Sequence, residues 1–217
     1  MQDDRSSRSP FDSTRRQLVL GAAAASLVPW AGSAQAAVEL EGLEVSETAT
    51  GMRGQKLVLN GVAVRRRGYF KADVTALYLP EKRTTPEAIF KLDGYRRIQL
   101  NILREFTSAT ISRIFIADFK QASTDEEFKK LISVVGQIGA TYANVKRVVK
   151  GDVINLDWVP GTGWTAFHNG KQLMTDDGGA INSELAYQIY LRMYIGQMAP
   201  DDLRNGLLGL TKQSRGA

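Results

Sequence analysis

Residues 56–80 of the chain read KLVLNGVAVRRRGYFKADVTALYLP, two apolar stretches separated by three consecutive arginines. Lys56–Val64 is rich in leucine and valine, and Tyr69–Leu79 is largely apolar until Pro80 ends it. Short stretches of this composition, bounded by turn residues, predict strands. Arg96–Leu103 alternates apolar and polar side chains, so a half-buried strand is predicted there as well.

Similar patterns predict strands on both sides of this group, at Val38–Val45, Ile154–Trp158, Trp164–His168 and Lys171–Met174. The dipeptide Asn169-Gly170 joins the last two and is typical of a type I′ hairpin turn. The strands therefore form one group before residue 104 and a second group after residue 153.

The chain between and after these groups has helical periodicity. A predicted N-cap at Thr107-Ser108 precedes an apolar stripe at helical spacing, and Ser123-Thr124 followed by three acids predicts a second helix of about five turns. Further helices are predicted after Ser183 and over Asp201–Leu208. Strands on either side of a helical pair predict an α+β fold, with helices on one face of an antiparallel sheet.

Composition narrows the function classes. The chain has 217 residues, of which 43% are hydrophobic, enough for one domain with a full core. It has no cysteine, which excludes disulfides, thiolate metal sites and a cysteine nucleophile. Its net charge is +5, but the basic residues are spread out, so we expect no nucleic-acid partner. We also expect no metal and no organic cofactor.

The N-terminal residues have the pattern of an export signal. A polar start leads to Arg15-Arg16, then an apolar run of about 13 residues, then Ala34-Gln35-Ala36. The paired arginines resemble a twin-arginine signal, and a general secretory signal is the alternative. The apolar run is too short for a permanent membrane anchor. We therefore expect residues 1–36 to be cleaved, residues 37–217 to form one domain, and the protein to be periplasmic or secreted.

Several chemical motifs have simpler structural explanations. Gly161-Thr162-Gly163 joins two strands and lacks the lysine of a phosphate loop, so a turn is favoured. His168 lies beside a hairpin turn without a second histidine, which favours a surface position over a metal site. Asp176-Asp177 and Asp201-Asp202 precede helices, where capping explains them better than catalysis or calcium binding.

The run Arg65-Arg66-Arg67 has two interpretations. Strand alternation turns at least one of these guanidinium groups to the opposite face from its neighbours. All three could be solvated, or one could line a pocket between sheet and helices and bind an anion. The residues alone leave both interpretations open.

Ten segments, each weak alone, occur together in an order and spacing that resemble the chalcone isomerase family, in particular its bacterial exported chalcone-isomerase-like branch. They are Leu59–Arg65, Tyr69–Lys71, Ala76–Pro80, Ile102–Glu105, Lys150–Ile154, Val159–Gly163, Asn169–Lys171, Ile195–Gln197, Pro200–Leu203 and Leu207–Gly209. The resemblance covers roughly Leu57–Leu210. It implies an open-faced β-sandwich, in which a layer of helices covers one face of a large antiparallel sheet.

The resemblance also implies a site. Plant enzymes of this family close a chalcone to a flavanone without a cofactor, using an arginine beside the enone oxygen. Arg65 matches that arginine, but Ile111 stands where the enzymes have a tyrosine, and isoleucine cannot donate to an enolate. The other polar positions of the plant enzymes' pocket correspond to Asp118 and Met193 in this chain, and a further one falls near Asp73. Phe115, on the same helix as Ile111, completes the predicted ligand-binding set.

Other members of the family bind fatty acids, with the same arginine at the end of an apolar cavity. The first hypothesis is therefore an exported, non-catalytic binder of a small hydrophobic or carboxylate ligand held by Arg65. The second is a cofactor-free intramolecular lyase or isomerase with an unknown substrate. The third is a structural or partner-binding protein whose interior is filled by its own side chains. The sequence does not predict an oligomeric state.

Overall fold

The computed structural model describes residues 36–175 and 178–211. Apart from Ala36, the predicted export signal lies outside this part of the chain, as do Asp176 and Asp177. Cleavage, the twin-arginine route and the division into a signal and one domain therefore stay predictions. Within the described ranges, none of the helices has the length and apolar character that crossing a membrane requires.

The strands are all antiparallel and form one large sheet and two small ones. The large sheet has seven strands in the order β11-β10-β9-β6-β5-β4-β3, and β1 with β2 and β7 with β8 form separate pairs. The bounds are β1 Ala37–Leu40, β2 Leu43–Ser46, β3 Thr48–Thr50, β4 Lys56–Arg67, β5 Phe70–Leu79, β6 Arg96–Ile102, β7 Phe106–Thr107, β8 Arg147–Val148, β9 Val153–Val159, β10 Gly163–His168 and β11 Lys171–Leu173.

The helices are α1 Pro86–Phe90, α2 Ser108–Ala122, α3 Asp125–Lys130, α4 Ile132–Ala143, α5 Glu184–Ile195 and α6 Asp201–Leu207. The predicted N-caps are present: the hydroxyls of Thr107, Thr124 and Ser183 accept from backbone N–H groups of their first turns. Thr124 also forms a reciprocal capping box with Glu127. These caps set the points at which α2, α3 and α5 begin.

The core confirms the predicted α+β class. Side chains from one face of the sheet pack with those of the helices in the larger hydrophobic cluster, which includes Leu77, Ile98, Phe119 and Ile189. A smaller cluster on other sheet side chains includes Val38 and Val45 from the β1–β2 pair. The helices therefore cover one face of the sheet, and the β1–β2 pair contributes to a separate, smaller core.

Two predicted elements are wrong in detail. Val38–Val45 is not one strand, because Glu41 and Gly42 have φ angles of 56° and 72° and turn the chain into the β1–β2 hairpin. The helix predicted after Thr124 is not continuous, because Leu131 leaves helical geometry with φ −103° and ψ 11°. α3 and α4 are therefore separate helices.

β4 and β5 form the long hairpin that positions the arginines. β4 continues to Arg67, beyond the predicted end at Val64, and its register places Arg65 opposite Asp73. A register shift follows between Arg65 and Arg66. Such an irregularity changes the local direction of side chains, so strict alternation does not describe this end of β4.

Helix α6 lies against the backbone of β4 at two glycines. A Cβ on Gly61 would lie 2.1 Å from the Gly206 carbonyl oxygen, and a Cβ on Gly206 would lie 2.7 Å from the Cβ of Ala63. Asn60, one residue before Gly61, donates from Nδ2 to the carbonyl of Leu207 at 2.7 Å. The absence of side chains at both glycines permits this contact.

A cluster of buried polar side chains from neighbouring strands lies near the smaller hydrophobic cluster. The Asp157 carboxylate on β9 accepts from Arg97 Nε and Nη2, both at 2.7 Å, and from the Tyr95 hydroxyl. The same hydroxyl accepts from the backbone N–H of Met52 at 3.1 Å. Asp157 is fully buried, so its charge is compensated by Arg97 within the protein.

Buried tyrosines predict instability at alkaline pH. Burial raises the pKa of Tyr78 to about 12, and burial together with Asp157 raises that of Tyr95 to about 12. An unfolded tyrosine has a pKa of about 10, so the unfolded state loses protons first. Each tyrosine then costs about 1.4 kcal/mol of stability per pH unit between about pH 10 and 12.

The measurement is guanidinium unfolding followed by circular dichroism at pH 8, 10 and 11, with tyrosinate absorbance recorded in parallel. The Tyr78→Phe variant, which loses the hydrogen bond to the Ser46 carbonyl, is expected to show a shallower decline between pH 10 and 11 than the unmodified protein. A stability that is constant up to pH 11 would contradict the prediction.

Candidate ligand-binding cavity

An apolar cavity lies between the sheet and helices α2, α4 and α5. Its volume is about 80 Å³, about half that of a cavity that holds one benzene molecule, and it is partly open to solvent. Most of its lining is aliphatic or aromatic, including Leu100, Ile102, Ile111, Phe115, Ile154 and Met193. These side chains come from strands and helices far apart in sequence, so the cavity depends on the whole fold.

Arg65 forms the polar end of the cavity. Its Nε donates to Asp73 Oδ2 at 2.8 Å, and its Nη2 lies 2.7 Å from the same oxygen. The Arg65 side chain is 16% exposed and that of Asp73 is 1% exposed. Burial alone would lower the pKa of Arg65, but Asp73 outweighs this effect and raises it above its ordinary value. Arg65 therefore stays charged within an internal ion pair.

Three tyrosines complete this end of the cavity. The Tyr194 hydroxyl accepts from Arg65 Nη1 at 3.3 Å and lies 2.9 Å from the Tyr190 hydroxyl. Tyr142 also lines the cavity and packs edge-on against Phe115. Burial raises the pKa of all three phenols above the ordinary value. They are therefore neutral hydrogen-bonding groups at physiological pH.

A second ion pair borders the cavity. Arg67 on β4 donates from Nη1 to Asp118 Oδ1 on α2 at 3.0 Å, and its Nη2 contacts the other carboxylate oxygen. The two side chains are partly exposed, at 32% and 20%. They line both the cavity and an outer cleft that also contains Arg66 and Arg192. The pair therefore stands between the interior and the surface.

The structure brings all six predicted ligand-binding residues to this one cavity: Arg65, Asp73, Ile111, Phe115, Asp118 and Met193. Their role in binding stays a prediction. Of the three consecutive arginines, Arg65 and Arg67 line the cavity, whereas Arg66 is exposed and lines the outer cleft. The interpretation in which all three are solvated does not describe Arg65.

Helical periodicity places Tyr142 and Tyr190 on the apolar faces of their helices and leaves open whether Tyr190 supplies a polar contact. It indicates no polar role for Tyr142 or Tyr194. The spacing of Tyr190 and Tyr194 places them on one face of α5, which is the one signal in the sequence that could have paired them. Their convergence on Arg65 is a property of the tertiary structure.

The other sequence candidates lie elsewhere. Gly161 lies in the turn between β9 and β10, Gly163 is the first residue of β10, and both have positive φ. His168 Nε2 lies 2.9 Å from an Asp152 oxygen at the end of β10. Asp202 accepts from the N–H of Leu203 at the start of α6. Among the described residues, no group of three or more histidine or acidic side chains could hold a metal ion.

A helix-covered antiparallel sheet with an apolar cavity that is polar at one end defines an α+β domain with a candidate small-molecule pocket. The family model described as chalcone isomerase-like matches residues 37–209, and the chain therefore belongs to the chalcone isomerase-like family. This confirms the resemblance found in the sequence.

Among solved structures, a fatty-acid binding protein of Arabidopsis thaliana has the same fold, with a TM-score of 0.65 and 14% sequence identity. The match covers 80% of this chain and 96% of the Arabidopsis chain. A search of curated proteins finds no match. At this identity the likeness concerns the fold.

Proposed function

We propose that the protein is an exported, non-catalytic binding protein for a small hydrophobic, fatty-acid-like ligand. The observation that carries this proposal is the apolar cavity, whose hydrogen-bonding groups are gathered at one end around Arg65. Such a cavity is suited to an amphiphile with its tail against aliphatic side chains and its polar end near Arg65. The fatty-acid binding protein with the same fold supports this interpretation. Export is supported by the sequence pattern alone.

The cavity volume indicates the size of the ligand. A cavity of about 150 Å³ holds benzene, so about 80 Å³ has room for about three carbon groups, which would contribute about 2–3 kcal/mol through burial at about 0.8 kcal/mol each. The remaining carbons of a longer alkyl chain would lie outside this volume. The phenols of Tyr142 and Tyr194 and the Arg65 guanidinium would orient the polar end rather than supply most of the affinity.

A cavity-filling substitution tests the binding function. Ile111→Trp places a large side chain in the cavity, so we expect at least a tenfold loss of affinity for the neutral fluorescent probe N-phenyl-1-naphthylamine. The matched control is Ile116→Trp on the same helix, since Ile116 is exposed and does not line the cavity. Native mass spectrometry of the purified protein would identify a ligand that co-purifies. Equal probe binding by both variants would refute the cavity as the binding site.

A substitution of Arg65 tests the polar end. We expect Arg65→Ala to weaken the binding of an oxygen-containing ligand such as 1-octanol by about 1.5–3 kcal/mol, which is the scale of a hydrogen bond to a charged group. This variant leaves Asp73 buried without its cation, so the double variant Arg65→Ala/Asp73→Asn is measured beside it. The control is Arg66→Ala, which alters an exposed neighbour outside the cavity. Unchanged affinity in both Arg65 variants would remove Arg65 from the site.

A cofactor-free isomerase is the second candidate. The observation in its favour is the hydrogen-bonded series of Arg65, Tyr194 and Tyr190, which could donate to a developing enolate oxygen. Asp73 acts against it, because its charge offsets the positive potential of Arg65. Loss of chalcone absorbance in the presence of the protein, abolished by Arg65→Ala, would replace the binding proposal with this one.

A further inference from the structure

We propose that the cavity selects hydrophobic ligands whose polar end is an uncharged oxygen, as in an alcohol, ketone or ester, and that it disfavours a carboxylate. The inference rests on the proposed binding function and narrows its ligand class: the ligand resembles a fatty acid in its alkyl chain but carries no negative charge. It is carried by the ion pairs Arg65–Asp73 and Arg67–Asp118 at the polar end of the cavity.

The charges that line the cavity cancel. Four charged side chains are among the lining residues, namely the cations Arg65 and Arg67 and the carboxylates Asp73 and Asp118. Each cation already contacts a carboxylate, at 2.7 Å for Arg65 and through two nitrogens for Arg67. An anionic ligand would therefore add an uncompensated negative charge to a mostly apolar enclosure, which is unfavourable.

Asp73 cannot give up Arg65 without cost. It lies within β5, between strands β4 and β6, and is fully buried. Its Oδ1 accepts from the Thr75 hydroxyl at 2.5 Å, and its Oδ2 accepts from Arg65. A ligand carboxylate that replaced Asp73 as the partner of the Arg65 guanidinium would leave the Asp73 charge buried without a cation. Such an arrangement is strongly unfavourable.

An uncharged oxygen meets no such obstacle. A guanidinium carries five N–H groups, and the contacts of Arg65 with Asp73 and Tyr194 engage one on each nitrogen. The second hydrogens of Nη1 and Nη2 remain for an acceptor, while the ion pair with Asp73 stays intact. The hydroxyl of Tyr142, which also lines the cavity, offers a further neutral partner. A carbonyl or hydroxyl oxygen can therefore bind without separating any pair of charges.

The test compares chain-matched ligands. Octanoate, 1-octanol and 2-octanone compete with N-phenyl-1-naphthylamine for the unmodified protein at pH 7.5. We expect the alcohol and the ketone to displace the probe at concentrations at least tenfold lower than octanoate. Octanoate binding as tightly as 1-octanol, or more tightly, would overturn the inference while leaving the proposed function in place. Failure of the probe and all three ligands to bind would overturn both.

A substitution adds a second, independent arm. Asp73→Asn removes the competing charge, so the ratio of octanoate affinity to 1-octanol affinity should rise at least tenfold. If the asparagine variant folds poorly, Asp73→Thr takes its place, because threonine is also uncharged and has a hydrogen-bonding hydroxyl. The matched control is Glu126→Gln, which makes the same change of charge at an exposed position outside the cavity. No gain for octanoate relative to 1-octanol in folded Asp73 variants would also overturn the inference.

Discussion

Gly61→Ala is expected to destabilise the protein by about 3 kcal/mol or more, at the upper end of the cost of overpacking. The new methyl carbon would lie 2.1 Å from the Gly206 carbonyl oxygen and 2.6 Å from that of Leu207. Both are backbone atoms, so no side chain can rotate away and α6 itself must move from β4. Guanidinium unfolding followed by circular dichroism measures the loss.

The matched control is Gly136→Ala. Gly136 lies within α4, and nothing is within 4 Å of the position its Cβ would take. Alanine is the better helix former there, so a gain of about 0.5–1 kcal/mol is expected. If Gly61→Ala unfolded within 1 kcal/mol of the unmodified protein, the close contact between α6 and β4 would be wrong.

Asp157→Ala is expected to cost about 3–5 kcal/mol, because removing one partner of a buried ion pair leaves the other charge uncompensated. Arg97, which donates to Asp157 through two nitrogens, is itself buried. The Tyr95 hydroxyl also loses an acceptor. Equilibrium unfolding at pH 7 measures the effect, well below the pH range in which the buried tyrosines ionise.

Two further variants separate charge loss from the loss of contacts. Arg97→Met/Asp157→Leu replaces the pair by apolar side chains, so much of the lost stability should return. Asp201→Ala removes a carboxylate that is 81% exposed and bound to Arg204, and should cost no more than about 1 kcal/mol. Equal losses of stability for Asp157→Ala and Asp201→Ala would show that the buried ion pair contributes no more than an exposed one.

The parts of the fold that local chemistry dictates could be predicted. Periodic strands such as Arg96–Ile102, the cap at Thr124 and the Asn169-Gly170 turn all depend on residues close together in sequence. The hairpin at Glu41 and Gly42 could not, since glutamate rarely takes a positive φ and gave no turn signal. The break at Leu131 likewise has no local sequence marker such as proline or glycine.

Some features of the candidate site could likewise be predicted from the sequence, and others could not. The resemblance to a known family selected Arg65, Asp73, Ile111, Asp118 and Met193, all of which line the cavity. The Arg65–Asp73 pair was not predicted, because it depends on the register of β4 with β5 at the irregularity after Arg65. The approach of Tyr142 and Tyr194 to Arg65 requires α4 and α5 to pack on the sheet. The sequence thus brought forward residues that line one cavity, but not the charge balance of that candidate site.

The contact between β4 and α6 also determines when, during synthesis of the chain, the domain can complete its folding. Asn60 and Leu207 are hydrogen-bonded although 147 positions separate them in sequence. A ribosome therefore releases β4 long before its covering helix exists, and the strand's glycine-containing surface stays open during most of translation. The domain can reach its final packing only when α6 has emerged, so its folding is completed after residues 60–207 have all been synthesised rather than progressively along them.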